Sequence, residues 1–137
     1  MRPTDFSNRN ATFAIGVGCK RGCSTEAIVA LVERAIAAAA CAGKQASLFT
    51  HEAKKCEAGL AGAAKALGLP LVFLEAEVLR QASLRAATNS PRVMEMFGLP
   101  SIAEAAALAG AGPSSVLLVA RVSNGGASCA IAGRQEP

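Results

Sequence analysis

The segment Gly16-Val17-Gly18-Cys19-Lys20-Arg21-Gly22 places three glycines, two cations and a thiol within seven residues, and Ser24 and Thr25 add two hydroxyls just after it. These residue types suit anion binding. Glycine lets backbone N–H groups come close to a ligand. Arg21 can grip a carboxylate or phosphate through two parallel N–H bonds, and Lys20 adds a point charge. A helix beginning after Gly22 would add its free N–H groups and the positive end of its dipole. The plain alternative is a tight turn with solvated cations. A second group, Thr50, His51 and Lys54, offers two hydrogen-bonding side chains and another cation. Glu57 follows Lys54 by three residues, a spacing that suits an ion pair on a helix surface.

The spacing excludes several specific chemistries. Gly-x-Gly-x-x-x-Gly is neither the dinucleotide fingerprint nor a P-loop, which ends in Gly-Lys-Ser/Thr. The five cysteines, Cys19, Cys23, Cys41, Cys56 and Cys129, are odd in number and irregular in spacing, so they do not form a disulfide framework. A cluster motif built on Cys19 and Cys23 would need a third cysteine where Glu26 stands, and no metal site is expected. Cys19 lies beside two cations, a setting that lowers a thiol pKa. No Ser/His/Asp set can be assembled, and no catalytic residue is assigned.

The elements that position these residues follow from hydropathy and punctuation. Residues 1–11 are polar and read as a disordered tail; residues 12–134 read as a single domain. Residues 12–18 form an apolar run that reads as a buried strand. Ser24 or Thr25 caps the next helix, whose stripe is Ile28, Leu31, Val32, Ala35, Ala39 and Ala42, with Gly43 as its C-cap. Residues 46–50 form a second strand. A second helix starts near His51 with Ala53, Cys56, Leu60, Ala64 and Leu67 on one buried face, and Gly68 and Pro70 stop it. Residues 71–74 form a third strand and residues 75–81 a short helix. Residues 82–89 read as an irregular, mobile loop, and residues 90–97 as a short helix ended by Gly98. Ser101-Ile102-Ala103-Glu104 is a capping box for a helix to about Ala109. Residues 116–122 and 128–132 are strands joined by an Asn124-Gly125 turn. The predicted fold is α/β, a three-layer αβα arrangement with a mostly parallel central sheet and a C-terminal antiparallel hairpin.

Bulk composition narrows the partners. Of 137 residues, 52% are hydrophobic but only 4% aromatic, with no Trp or Tyr, so the core is aliphatic and base-stacking recognition of nucleic acid is not expected. A net charge of +4 without a long cationic run suits an anionic small molecule better than nucleic acid. No apolar stretch approaches a membrane span, and no signal-peptide segment is seen. A cytoplasmic protein, monomeric or weakly homo-oligomeric and needing no cofactor, is the expectation.

Longer motifs carry a family resemblance. Gly16-Val17-Gly18-Cys19-Lys20-Arg21-Gly22 followed by Ser24-Thr25-Glu26-Ala27-Ile28 resembles the opening motif of the CobE and CbiG C-terminal domain family of cobalamin biosynthesis. Thr50, Lys54, Glu57, Gly59 and Leu60, then Leu67-Gly68-Leu69-Pro70-Leu71, are similar to its next two segments. Ser90-Pro91, Val93, Gly98, Ser101, the run Ala103 to Ala107, Ala111-Gly112 and the end Cys129-Ala130-Ile131-Ala132 continue the match. The chain is most like the stand-alone members. The resemblance implies the aerobic pathway and a corrinoid, precorrin or hydrogenobyrinic acid-type ligand, with other enzymes of the pathway as further partners. Such tetrapyrroles carry a rim of carboxylates around an apolar macrocycle. Lys20, Arg21, Lys54 and loop N–H groups suit the rim, each charge-assisted hydrogen bond contributing about 1.5–3 kcal/mol. Apolar residues within 82–87 would cover the face.

Three functions are compatible with these residues: a carrier or pathway-assisting protein binding a polycarboxylate tetrapyrrole through the cationic loop; a hydrolase or rearrangement enzyme acting on a precorrin through Cys19, Thr50 or Lys54; and a nucleotide- or phosphate-binding module.

Overall fold

The computed structural model describes residues 13–39, 45–85, 102–112, 114–124 and 126–134. The expectations for the tail 1–11, for Gly43, for residues 86–98 and for Ser101 and Gly125 lie outside them.

Among the described residues, nine strands and α-helices follow in the order β1 (Phe13–Cys19), α1 (Thr25–Ala39), β2 (Ala46–His51), α2 (Ala58–Leu67), β3 (Leu71–Leu74), α3 (Ala76–Ala82), α4 (Ile102–Ala111), β4 (Ser115–Ser123) and β5 (Ala127–Arg134). The five strands form one sheet in the order β3-β2-β1-β5-β4. β1 pairs parallel with β2, and β2 parallel with β3. β5 runs antiparallel to both β1 and β4. The sheet is therefore mixed rather than mostly parallel. The C-terminal hairpin does not merely flank a parallel sheet. It docks its second strand directly against β1, so β1 has a parallel neighbour on one side and an antiparallel one on the other.

The three layers are as expected. Side chains alternate across a strand, and β1 divides accordingly. Ile15, Val17 and Cys19 join Leu48, Cys129 and Ile131 in a core shared with Ile28, Leu31, Val32 and Ala35 of α1 and Leu60, Ala63 and Ala64 of α2. Full burial of a side chain the size of Ile15 or Leu31 contributes about 1.5–3 kcal/mol. On the other face Ala14, Ala130 and Ala132 meet Ala82, Ala103, Ala107, Leu108 and Ala111, and Leu79 packs with Ile102, Ala105 and Ala106.

Two local expectations are corrected. No helix starts at His51: β2 runs through His51, a 3-10 turn covers Glu52–Lys54, and α2 begins only at Ala58. In consequence Cys56 is exposed rather than on a buried face. Ala82 is not part of an irregular loop that could cover a ligand; it ends α3, buried against α4. Glu104 is fully buried, and its Oε2 accepts the Arg121 backbone N–H at 2.9 Å; its part in a capping box with Ser101 lies outside the described residues. The pairing of β4 with β5 shifts register between Val119 and Val122, which is where the ladder leaves a donor in need of another acceptor.

Candidate anion-binding site

Three connections meet at the carboxyl ends of β1 and β2. They are the turn after β1, the segment between β2 and α2, and the tip of the β4–β5 hairpin. Ligands of open α/β sheets bind at this end, where the loops leave the strands.

The first loop is shorter than its sequence motif. Gly16, Gly18 and Cys19 lie inside β1, buried and paired with Ala130, Ser128 and Ala127 of β5. Gly16 serves helix packing, because a β-carbon there would stand 1.9 Å from the Ala103 carbonyl oxygen of α4. The exposed part of the motif is Lys20, Arg21 and Gly22. The Lys20 N–H donates to the Gly126 carbonyl at 2.8 Å and the Cys23 N–H to the Lys20 carbonyl at 3.1 Å, closing the turn. Gly22 has φ +78°, the left-handed region that glycine enters without strain, and nothing lies within 4 Å of its missing β-carbon.

Both hydroxyls after the loop are engaged in holding the fold. Ser24 Oγ caps α1 by accepting the Ala27 N–H at 3.1 Å. Thr25 Oγ1 donates to the Gly59 carbonyl at 3.2 Å, tying the start of α1 to α2.

The second group is brought to the same end, but its members sit at different depths. Thr50 is fully buried and donates its hydroxyl to the Val17 carbonyl at 2.7 Å. His51 is buried, with Nδ1 accepting the Ala53 N–H at 2.9 Å to cap the 3-10 turn. Burial holds its pKa below the ordinary histidine value, with Glu52 opposing and Lys54 reinforcing the shift. Lys54 is half-buried, while Lys55 is exposed. Lys54 acts electrostatically on Cys19, placing its charge near the end of β1. Cys19 is not an activated thiol. Burial pushes its pKa up to about 11, and Glu57 and Cys23 add to that rise against the opposing Lys54.

Two contacts at this end have no local signature in the sequence. The Glu57 Oε1 accepts the Gly22 N–H at 3.0 Å across 35 positions. Asn124 donates from Nδ2 to the Ala27 carbonyl at 3.1 Å and accepts the Ala127 N–H at 3.0 Å on Oδ1. One side chain thus shapes the hairpin tip and ties it to the first turn of α1. The Asn-Gly pair in the sequence pointed to the turn but not to the tether.

Exposed cations, a glycine amide whose N–H already donates to a carboxylate, and a half-buried lysine make a surface that can take several separated negative charges. Among the described residues no three His, Cys, Asp or Glu side chains gather into a metal-holding cluster, and no helix is long and apolar enough to cross a membrane.

Comparison with known proteins agrees with this architecture. Residues 13–132 match the family described as cobalamin synthesis G C-terminus. The chain is 35% identical over 124 residues to protein CobE of a Sinorhizobium species, covering 90% of this chain and 80% of that one. Among solved structures it is similar to CobE, a protein from the cobalamin (vitamin B12) biosynthetic pathway, at TM-score 0.77 and 34% identity, covering 88% of this chain and 92% of that one. It is also similar to the cobalamin biosynthesis protein chiG from Agrobacterium tumefaciens, at TM-score 0.67 and 31% identity, covering 90% and 99%.

Proposed function

The chain belongs to the cobalamin synthesis G C-terminus family of cobalamin biosynthesis proteins, and on that premise we propose that it binds a polycarboxylate tetrapyrrole of the aerobic pathway, of the precorrin or hydrogenobyrinic acid type, as a carrier or pathway-assisting protein. The ligand's carboxylate rim docks on the exposed loop of Lys20, Arg21 and Gly22, with Lys54 as a further cation. The observation that carries this reading is the Gly22 amide, which already holds a carboxylate, that of Glu57, at 3.0 Å. The loop is thus shaped to present a backbone donor to that chemical group, with two cationic side chains beside it.

Binding is favoured over turnover by what the neighbouring groups are doing. A neutral Cys19 with its pKa pushed up to about 11 is a poor nucleophile at neutral pH. The Thr50 hydroxyl is buried and engaged with Val17. Both were candidates for a catalytic part.

Titration with hydrogenobyrinic acid, followed by visible absorption, tests the reading. Saturable spectral change is the expected result. No change at ligand concentrations on the order of tens of micromolar overturns it.

A further inference from the structure

Glu57 stands immediately before α2 with an extended backbone, φ −84° and ψ 105°, and its side chain makes no capping bond to its own helix. An acidic residue at that position ordinarily turns onto the free N–H groups of the first helical turn, where the dipole also favours it. Glu57 instead reaches out of its own segment to the Gly22 amide. The contact is exposed, and the space around Gly22 is open. A single N–H cannot serve two carboxylates at full strength. A second carboxylate arriving beside Lys20 and Arg21 also meets the charge of Glu57.

We infer that Glu57 is a resident anion of the loop: in the unliganded protein its carboxylate occupies the Gly22 amide, and a carboxylate of the incoming ligand displaces it. Glu57 then tunes affinity downward. It keeps the cationic loop ordered while empty and competes for the amide when the ligand is to be released, a property suited to a protein that must hand its ligand on. This inference rests on the reading of the loop as the carboxylate-binding site.

The test compares the wild-type chain with Glu57→Gln in the same hydrogenobyrinic acid titration. Gln keeps an oxygen acceptor for Gly22 but removes the charge. The variant is expected to bind about two- to fivefold tighter, the range for loss of one exposed like charge. In the wild type, the side-chain carboxyl carbon resonance of Glu57 is expected to move on saturation as its hydrogen bond to Gly22 is lost; this measurement needs no variant. A wild type that binds while Glu57→Gln binds no tighter overturns the inference and leaves the site reading standing. So does a Glu57 resonance unmoved in the saturated complex. Binding by the variant alone supports the inference. If neither protein binds, the site reading fails and the inference fails with it.

Discussion

Gly16 of β1 lies directly beneath Ala103 of α4, so close that a β-carbon at Gly16 would stand 1.9 Å from the Ala103 carbonyl oxygen and 2.6 Å from the Ala107 nitrogen. Both atoms are backbone, so neither can swing aside as a flexible side chain would. Gly16→Ala must push the helix off the sheet. The expected loss is about 3 kcal/mol or more of unfolding free energy, read by urea denaturation. A loss under about 1 kcal/mol would show that α4 does not sit so close.

Lys20 and Arg21 project from the exposed turn, and neither is part of the core. Replacing either by Ala should leave the melting temperature almost unchanged while weakening binding of hydrogenobyrinic acid by roughly ten- to a hundredfold, the scale of one charge-assisted contact. The affinity of the wild type should fall with added salt, and less steeply in the variants. Equal affinity for wild type and both variants would move the binding site elsewhere.

Asn124 joins the hairpin tip to α1 with one amide and shapes the turn with the other end of the same side chain. Asn124→Ala loses these bonds and a longer one from the Gly126 N–H to Oδ1 at 3.4 Å, and should cost about 1–2 kcal/mol. Because Gly126 in that tip accepts the Lys20 N–H, the variant should also speed hydrogen exchange at Lys20. Unchanged exchange there would mean that the tip does not brace the loop.

Cys19 and His51 set opposite edges of a stability plateau. The Cys19 pKa is about 11 in the folded chain against 9.0 for the free thiol, so the folded state keeps its proton longer. Its contribution is complete below pH 9 and declines as pH rises toward about 11, by roughly 1–3 kcal/mol. His51 is lowered, so the unfolded state binds the proton more readily, and stability falls as pH drops below the ordinary histidine value. Urea unfolding at pH 5, 7.5 and 10.5 should give a maximum at the middle value. Cys19→Ala should flatten the alkaline limb relative to wild type; an unaltered limb would refute the assignment to Cys19.

The local chemistry of the chain was enough to give much of the fold. Apolar runs ending in glycine mark strands, the stripe from Ile28 to Ala35 marks α1, and Gly68 stops α2 with its N–H bonded to the Ala64 and Lys65 carbonyls. The β-α-β-α-β spacing then predicts the layers, because a crossover helix must cover the sheet it connects. The boundary at His51 departs from the apolar period. The apolar residues at Ala53 and Cys56 fit a helical period, but the chain stays extended through His51, whose imidazole caps a 3-10 turn instead.

The sequence by itself determined which segments are strands and helices, where the cationic loop falls and which family the chain resembles, because those depend on residues within a few positions of one another. Only the tertiary structure decided that β5 lies against β1, that Gly16 packs beneath α4, and that Glu57 reaches Gly22. Each of these joins surfaces separated by tens of residues. Periodicity records that a face is apolar or that a glycine is needed. It does not record which distant element arrives to cover that face; here it is α4, which comes down over Gly16 at the start of the glycine motif.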